Sequence, residues 1–275
     1  VLIDTHCHLD LVESFGLNLD IILNHSIEND VNIIVQIAVD KNSCLWNKQF
    51  IDKYYQNPKE KLKIYYTMGL HPESVKNHQQ ILEILELIKN NKKDPYFIGI
   101  GETGLDFFQN PETKEIQIES FYQHLKLAKE LQLPIIVHCR DDKQYNETKL
   151  EAISLIHSIG KELNYPYGIM HCYTYSKKEA KWFIDLGWKI SFSGILTFKN
   201  ALFLQEAAHY IPNKNILIET DAPFLAPVPY RGKTNQPAYV KSVFEYLVKL
   251  KNLPEEILKN QLQKNSKEIF NKILL

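Results

Sequence analysis

Two histidines one residue apart, His6 and His8, end the apolar stretch V-L-I-D-T-H-C-H-L-D from Val1 to Asp10. Side chains alternate along a strand, so these imidazoles share one face while Cys7 points to the other. An isolated pair of this kind reads most simply as strand-end histidines satisfied by hydrogen bonds. Later runs shift that balance, because each also finishes in a carboxylate or an imidazole: Gly101-Glu102, Val137-His138, Met170-His171 and Glu219-Thr220-Asp221. His6, His8, Glu102, His138, His171 and Asp221 together supply four imidazoles and two carboxylates. That donor set suits two divalent cations of borderline or hard type, with a carboxylate bridging them. Two such ions generate hydroxide near neutral pH and stabilise both the attacking and the leaving oxygen, so hydrolysis of a phosphoryl or acyl centre is the expected reaction. Asp221 is suited to bind a metal and also to take the nucleophile's proton and return it to the leaving oxygen.

The elements that must position these residues alternate regularly. Strands are expected within 1–10 and at 32–39, 63–68, 97–101, 134–138, 167–171, 188–192 and 215–219, with a loop after the first and helices between them near 18–29, 42–55, 73–90, 111–131, 146–163, 177–186 and 200–209. Two further helices, near 236–249 and 254–274, finish the chain. Eight strands alternating with helices predict one (β/α)8 barrel of the TIM type, spanning 1–275 as a single domain. A doubly wound open sheet would scatter the six candidate ligands across a flat surface, whereas a barrel gathers all strand C-termini around one mouth.

Charge and cysteine usage bound the partners. The formal net charge is −1, so no broad electrostatic field draws the chain onto nucleic acid or an anionic membrane, and a polyanion must be gripped locally. Cys7, Cys44, Cys139 and Cys172 form no C-x-x-C pair; three of them follow a candidate ligand histidine and should face away from it as small buried hydrophobes. This usage fits a reducing cytosol, and neither an apolar run long enough to span a membrane nor a signal peptide is expected.

The motifs I-D-T-H-C-H-L-D (3–10), G-L-H-P (69–72), G-E-T-G-L-D (101–106), P-I-I-V-H-C-R (134–140), M-H-C-Y (170–173) and E-T-D-A-P-F-L-A-P-V-P-Y-R-G-K-T-N-Q-P (219–237) resemble those of the TatD family of metal-dependent deoxyribonucleases, in the family's order. The resemblance implies DNA as substrate and two divalent metal ions, magnesium first, with zinc or manganese as alternatives. Position by position it implies His6, His8 and Asp221 around one ion, His138 and His171 around the other, Glu102 bridging, and His71 on the substrate phosphate. Two places depart from the family pattern: Tyr175 stands where a glycine is usual, and Gln236 replaces the glutamate of N-E-P. Both fall on loops expected to line the mouth.

Other residues take supporting parts. Arg140, Arg231 and Lys233, just past the fifth and eighth strands, are placed to hold phosphates. Asp106 and Asp4 are expected to orient histidines, and Phe107 and Phe108 to pack rather than to stack on a base. With the resemblance, the substrate expectation is DNA, attacked from the 3′ end by a cytoplasmic monomer without a protein partner. A metal-dependent amidohydrolase acting on a small or cyclic amide is the alternative; it is disfavoured because such barrels generally bridge their metals with a carboxylated lysine, and no lysine ends the fourth strand here. A non-catalytic metal-binding barrel would require a lost ligand, and every position is present.

Overall fold

The β-branched runs form strands and the amphipathic runs form helices in the expected order. The computed structural model describes residues 1–57, 62–142 and 150–274. Its strands are β1 (Leu2–Cys7), β2 (Val31–Gln36), β3 (Lys63–Met68), β4 (Phe97–Asp106), β5 (Ile135–Arg140), β6 (Gly168–Met170), β7 (Lys189–Phe192) and β8 (Ile216–Ile218). Each pairs in parallel with the next, giving the order β1 to β8 of a (β/α)8 barrel. The seam between β8 and β1 is thin. It is closed by a single parallel bridge, Cys7 with Ala222, by the backbone bonds His8 N–H to Ala222 O (2.8 Å) and Asp221 N–H to His6 O (2.9 Å), and by Thr5 Oγ1 donating to Ile218 O at 2.9 Å.

Helices α1 (Leu9–Ser14), α2 (Leu19–Glu28), α3 (Lys41–Tyr54), α4 (His78–Asn91), α5 (Lys114–Leu131), α6 (Glu151–Leu163), α7 (Lys177–Asp185), α8 (Leu202–Tyr210), α9 (Val240–Lys251) and α10 (Glu255–Ile269) surround the strands. Two apolar layers follow from strand alternation. One joins the outward strand residues to the helices; the other fills the barrel with Ile3, Ile33, Val35, Tyr65, Ile98, Ile136, Ile169 and Leu217. Ile269, Phe270 and Ile273 join the inner layer from the C-terminal segment. Lys272 Nζ donates to the carbonyls of Asp94 and Phe97, which places this plug at the strand N-termini, opposite the mouth.

Several boundaries differ from the sequence reading. Residues 9–14, expected as loop, form α1, and α4 begins at His78 rather than Glu73, where the Asn77 side chain caps it. Residues 111–113 are a 3₁₀ turn leading into α5, and the expected start of the sixth long helix at 146–149 lies outside the described residues. The main difference is β4. Gly101 reads as a strand end, yet the strand continues to Asp106 with its register to β5 shifted between Ile100 and Thr103. The glycine marks an irregularity rather than a stop. Gly104, with φ +142°, lies so close to β5 that an added Cβ would sit 2.0 Å from His138 O.

Candidate metal centre

The strands deliver their polar ends to one buried cluster. His6 comes from β1 and His8 from the residue just past its end, Glu102 from the interior of β4, His138 from β5, His171 from the residue after β6, and Asp221 from the turn after β8. His6 Nε2 and His8 Nε2 are 3.2 Å apart. Asp221 Oδ1 lies 3.7 Å and 3.5 Å from them, and Glu102 Oε2 lies 3.4 Å and 3.6 Å from them. The other oxygen, Glu102 Oε1, faces a second set of nitrogens: His71 Nε2 at 3.3 Å, His138 Nδ1 at 3.0 Å and His171 Nε2 at 2.8 Å. One carboxylate therefore divides its two oxygens between two groups of imidazoles.

These spacings fit divalent cations. Ligand atoms bound at about 2.1 Å are separated by about 3.0 Å at a right angle and about 3.4 Å at a tetrahedral one. The donor set of nitrogen and carboxylate oxygen is also the one such ions take. His171 Nε2 is buried and, although 2.8 Å from Glu102 Oε1, is out of hydrogen-bond alignment with it. Three groups of convergent donors occur among the described residues: His6–His8–Asp221, His6–Glu102–His171 and His71–Glu102–His138.

The surroundings fix the rings and their charges. His8 Nδ1 lies 3.2 Å from Ile37 O, His138 Nε2 lies 2.9 Å from Asp106 Oδ2, and His171 Nδ1 lies 3.2 Å from Glu219 Oε1. Each ring thus turns one nitrogen to a backbone or carboxylate oxygen and the other into the cluster, as metal-binding histidines do. Burial opposes a charge on every group here, but partners outweigh it in most. The imidazoles hold Glu102 well below the usual carboxylate range, and those of His8, His171 and His6 hold Asp221 below it. Burial also opposes an imidazolium at His138, yet Asp106 and Glu102 bring it up to about 9. His171 is likewise raised against burial by the charges of Glu102 and Glu219. For His6 and His71 burial wins, and both are pushed down.

Several expectations change with these positions. Asp106 does orient His138, but Asp4 does not orient a histidine ring. Its carboxylate accepts from Thr220 N–H (2.9 Å) and Thr220 Oγ1 (2.6 Å), joining β1 to the end of β8 at the seam, and burial pushes it up to about 8. Tyr175 and Gln236 do not line the mouth. Tyr175 is buried and donates to Asp141 Oδ2 at 2.8 Å, while Gln236 Oε1 lies 2.9 Å from His25 Nδ1 on α2. Both departures are therefore inward packing changes. His71 stands inside the donor cluster, not at its edge. Glu219, which the sequence reading left without a part, is fully buried and also accepts from Cys172 N–H (2.6 Å) and Ser191 Oγ (2.5 Å).

The remaining residues are distributed as their chemistry requires. Phe107 is buried. Arg140 lies over the Phe108 ring at 3.9 Å, Arg231 over Phe198 at 3.8 Å, and Lys233 Nζ is 5.8 Å from the Tyr230 ring. All three cations are exposed, Arg140 as the last residue of β5 and Arg231 and Lys233 on the segment that follows β8. None of the four thiols enters a donor group among the described residues; Cys7 and Cys44 are buried against carbonyls.

A parallel barrel with such donors at its C-terminal mouth is the architecture of a metal-dependent hydrolase. The family model described as TatD related DNase matches residues 3–271. The uncharacterized metal-dependent hydrolase YcfH of Escherichia coli K12 is 34% identical over 98% of this chain and 95% of its own length, and the uncharacterized metal-dependent hydrolase YabD of Bacillus subtilis is 34% identical over 98% and 99%. The crystal structure of YjjV, a TatD homolog from Escherichia coli K12, superposes with a TM-score of 0.83 at 26% identity, covering 98% of each chain. The chain belongs to the TatD-related DNase family of metal-dependent hydrolases.

Proposed function

We propose that this hydrolase cleaves phosphodiester bonds of DNA, removing nucleotides from the 3′ end, with two divalent cations held by His6, His8, Glu102, His138, His171 and Asp221. The observation that carries the two-ion reading is the divided carboxylate of Glu102, with Oε2 toward His6 and His8 and Oε1 toward His138 and His171. An unmodified glutamate is enough for that bridge. When bound, the ions supply a nucleophilic hydroxide and Lewis acidity at the phosphoryl oxygens. Magnesium is the expected ion, with zinc or manganese able to serve the same donors.

The chain's own residues do the rest. Asp221 is ionised at neutral pH, and with Oδ1 toward His6 and His8 its second oxygen is the one to take a proton from the attacking water and return it to the leaving oxygen. His71 contacts the phosphate, and Arg140, Arg231 and Lys233 hold its neighbours along the strand. Held over aromatic rings, the two guanidinium groups lose little freedom on engaging a phosphate. The chain acts as a single-domain monomer in the cytoplasm, and no helix among its described residues is long and apolar enough to cross a membrane.

End-labelled DNA with and without a chelator, beside a panel of cyclic amides, tests the proposal. Stepwise loss of nucleotides from the 3′ label, abolished by chelator and restored by magnesium or manganese, is the expected result. Brisk hydrolysis of an amide without any DNA cleavage would replace the nuclease with an amidohydrolase.

A further inference from the structure

Two phenylalanines stand exposed on the segments that follow His8 and Asp221. Phe15 is 55% exposed and Phe224 44% exposed, and their rings meet edge to face with centroids 5.9 Å apart. Phe15 follows α1, the short helix that starts directly after His8. Phe224 lies three residues past Asp221, and its N–H donates to Asp221 O at 2.9 Å. Its carbonyl accepts from Asn235 Nδ2 at 2.6 Å, and Asn235 N–H donates to Pro223 O at 2.9 Å. The backbone that carries the Phe224 ring is therefore fixed to a candidate ligand and to a buried asparagine. Asp221 is also more open than its partners, with its side chain 14% exposed against 1% for His6 and 4% for His8.

We propose that Phe15 and Phe224 form a stacking platform for a base of the substrate strand next to the scissile phosphate. The inference rests on the nuclease reading above and adds a subsite to it. A chain with net charge −1 gains little from a general field, so it needs affinity that does not depend on charge. Every base presents a π face, and an aromatic ring on a fixed backbone binds that face whatever the sequence. The edge-to-face pair keeps a large part of both rings exposed, 55% at Phe15 and 44% at Phe224.

The test crosses removal of the ring with removal of the base. The substrates are an end-labelled oligonucleotide and the same strand with an abasic residue at the 3′ terminus and the next position, cleaved by native protein, Phe224→Ala, Phe15→Ala and Phe224→Trp. Loss of stacking should raise KM about tenfold for native protein on the abasic strand and for Phe224→Ala on the normal strand. Phe224→Ala should show no further rise on the abasic strand, Phe15→Ala should show a smaller rise, and Phe224→Trp should restore the native value. An equal rise on both strands would indicate damage to the loop and overturn the platform, as would a base dependence of KM that survives in both alanine variants. If native protein cleaves neither strand with any divalent metal, the nuclease reading itself falls and the platform with it.

Discussion

His171 is held between two carboxylates, with Nδ1 3.2 Å from Glu219 Oε1 and Nε2 2.8 Å from Glu102 Oε1. His138 repeats the arrangement, with Nε2 2.9 Å from Asp106 Oδ2 and Nδ1 3.0 Å from Glu102 Oε1. The two rings present opposite nitrogens to the same glutamate. Outer carboxylates on β4 and after β8 therefore decide which nitrogen of each histidine faces the cluster.

Glu219→Gln removes the negative charge behind His171 while keeping the shape. The ring's proton loses its charged acceptor, and its orientation loosens. Affinity for a divalent ion should fall about ten- to a hundredfold. Calorimetric titration of the chelated protein with zinc or manganese checks this, and unchanged affinity would leave Glu219 as a brace for Cys172 and Ser191 alone.

Glu102→Ala and Asp221→Asn should both abolish turnover in a folded protein, but for different reasons. Glu102 faces both nitrogen groups, so its loss should lower bound metal at each. The amide oxygen introduced by Asp221→Asn still offers a lone pair but takes no proton, so this variant should lose more in rate than in metal content. Metal analysis alongside turnover separates the two. Substantial activity in either variant would remove the two-ion mechanism.

The barrel was legible because its signals are local: β-branched runs, helical periodicity, and a polar residue at the end of successive strands. The six candidate donors were legible for the same reason, and the structure brings all of them together. Glu219 escaped because it sits in the same tripeptide as Asp221, and only the barrel's curvature shows that it reaches His171. Asp4 was misread because its partner, Thr220, lies 216 residues away across the seam. Tyr175 was misplaced because a loop position says nothing about which way a side chain turns. β4 was cut short because a glycine between apolar residues reads alike as a stop and as a bulge.

His124, fully buried on α5, gives a stability signal separate from the cluster. Its Nδ1 bonds Ser120 O at 2.7 Å, its Nε2 is buried without a partner, and burial pushes it down from an ordinary 6.5 to about 4. The unfolded chain therefore binds this proton first. The contribution to stability is whole above pH 6.5 and is lost as the pH falls toward about 4. Between pH 7 and pH 5 the loss should be about 2 kcal/mol, read as urea unfolding free energy on chelated protein. His124→Leu should lose that much less over the same interval, and equal slopes in both proteins would show that His124 does not set it.

The substrate footprint is the last expectation, and it follows from charge. If the proposed nuclease reading holds, a chain with net charge −1 should grip DNA through the bound ions and a few side chains, chiefly His71, Arg140, Arg231 and Lys233. Each phosphate neutralised on a single strand contributes roughly −0.7 to the slope of log affinity against log salt. About two to three contacts should give a slope near −1.4 to −2, far shallower than that of an extended duplex binder. Arg231, stacked over Phe198 at 3.8 Å, is expected to be one of those contacts. Arg231→Ala should flatten the slope by about 0.7 and raise KM more than it lowers kcat, because a group that only positions phosphate acts equally in ground and transition states. A salt series of 3′ exonuclease rates for native protein and the variant measures both quantities. A steep native slope would contradict the small footprint, and a variant with an unaltered slope would place Arg231 off the path of the strand.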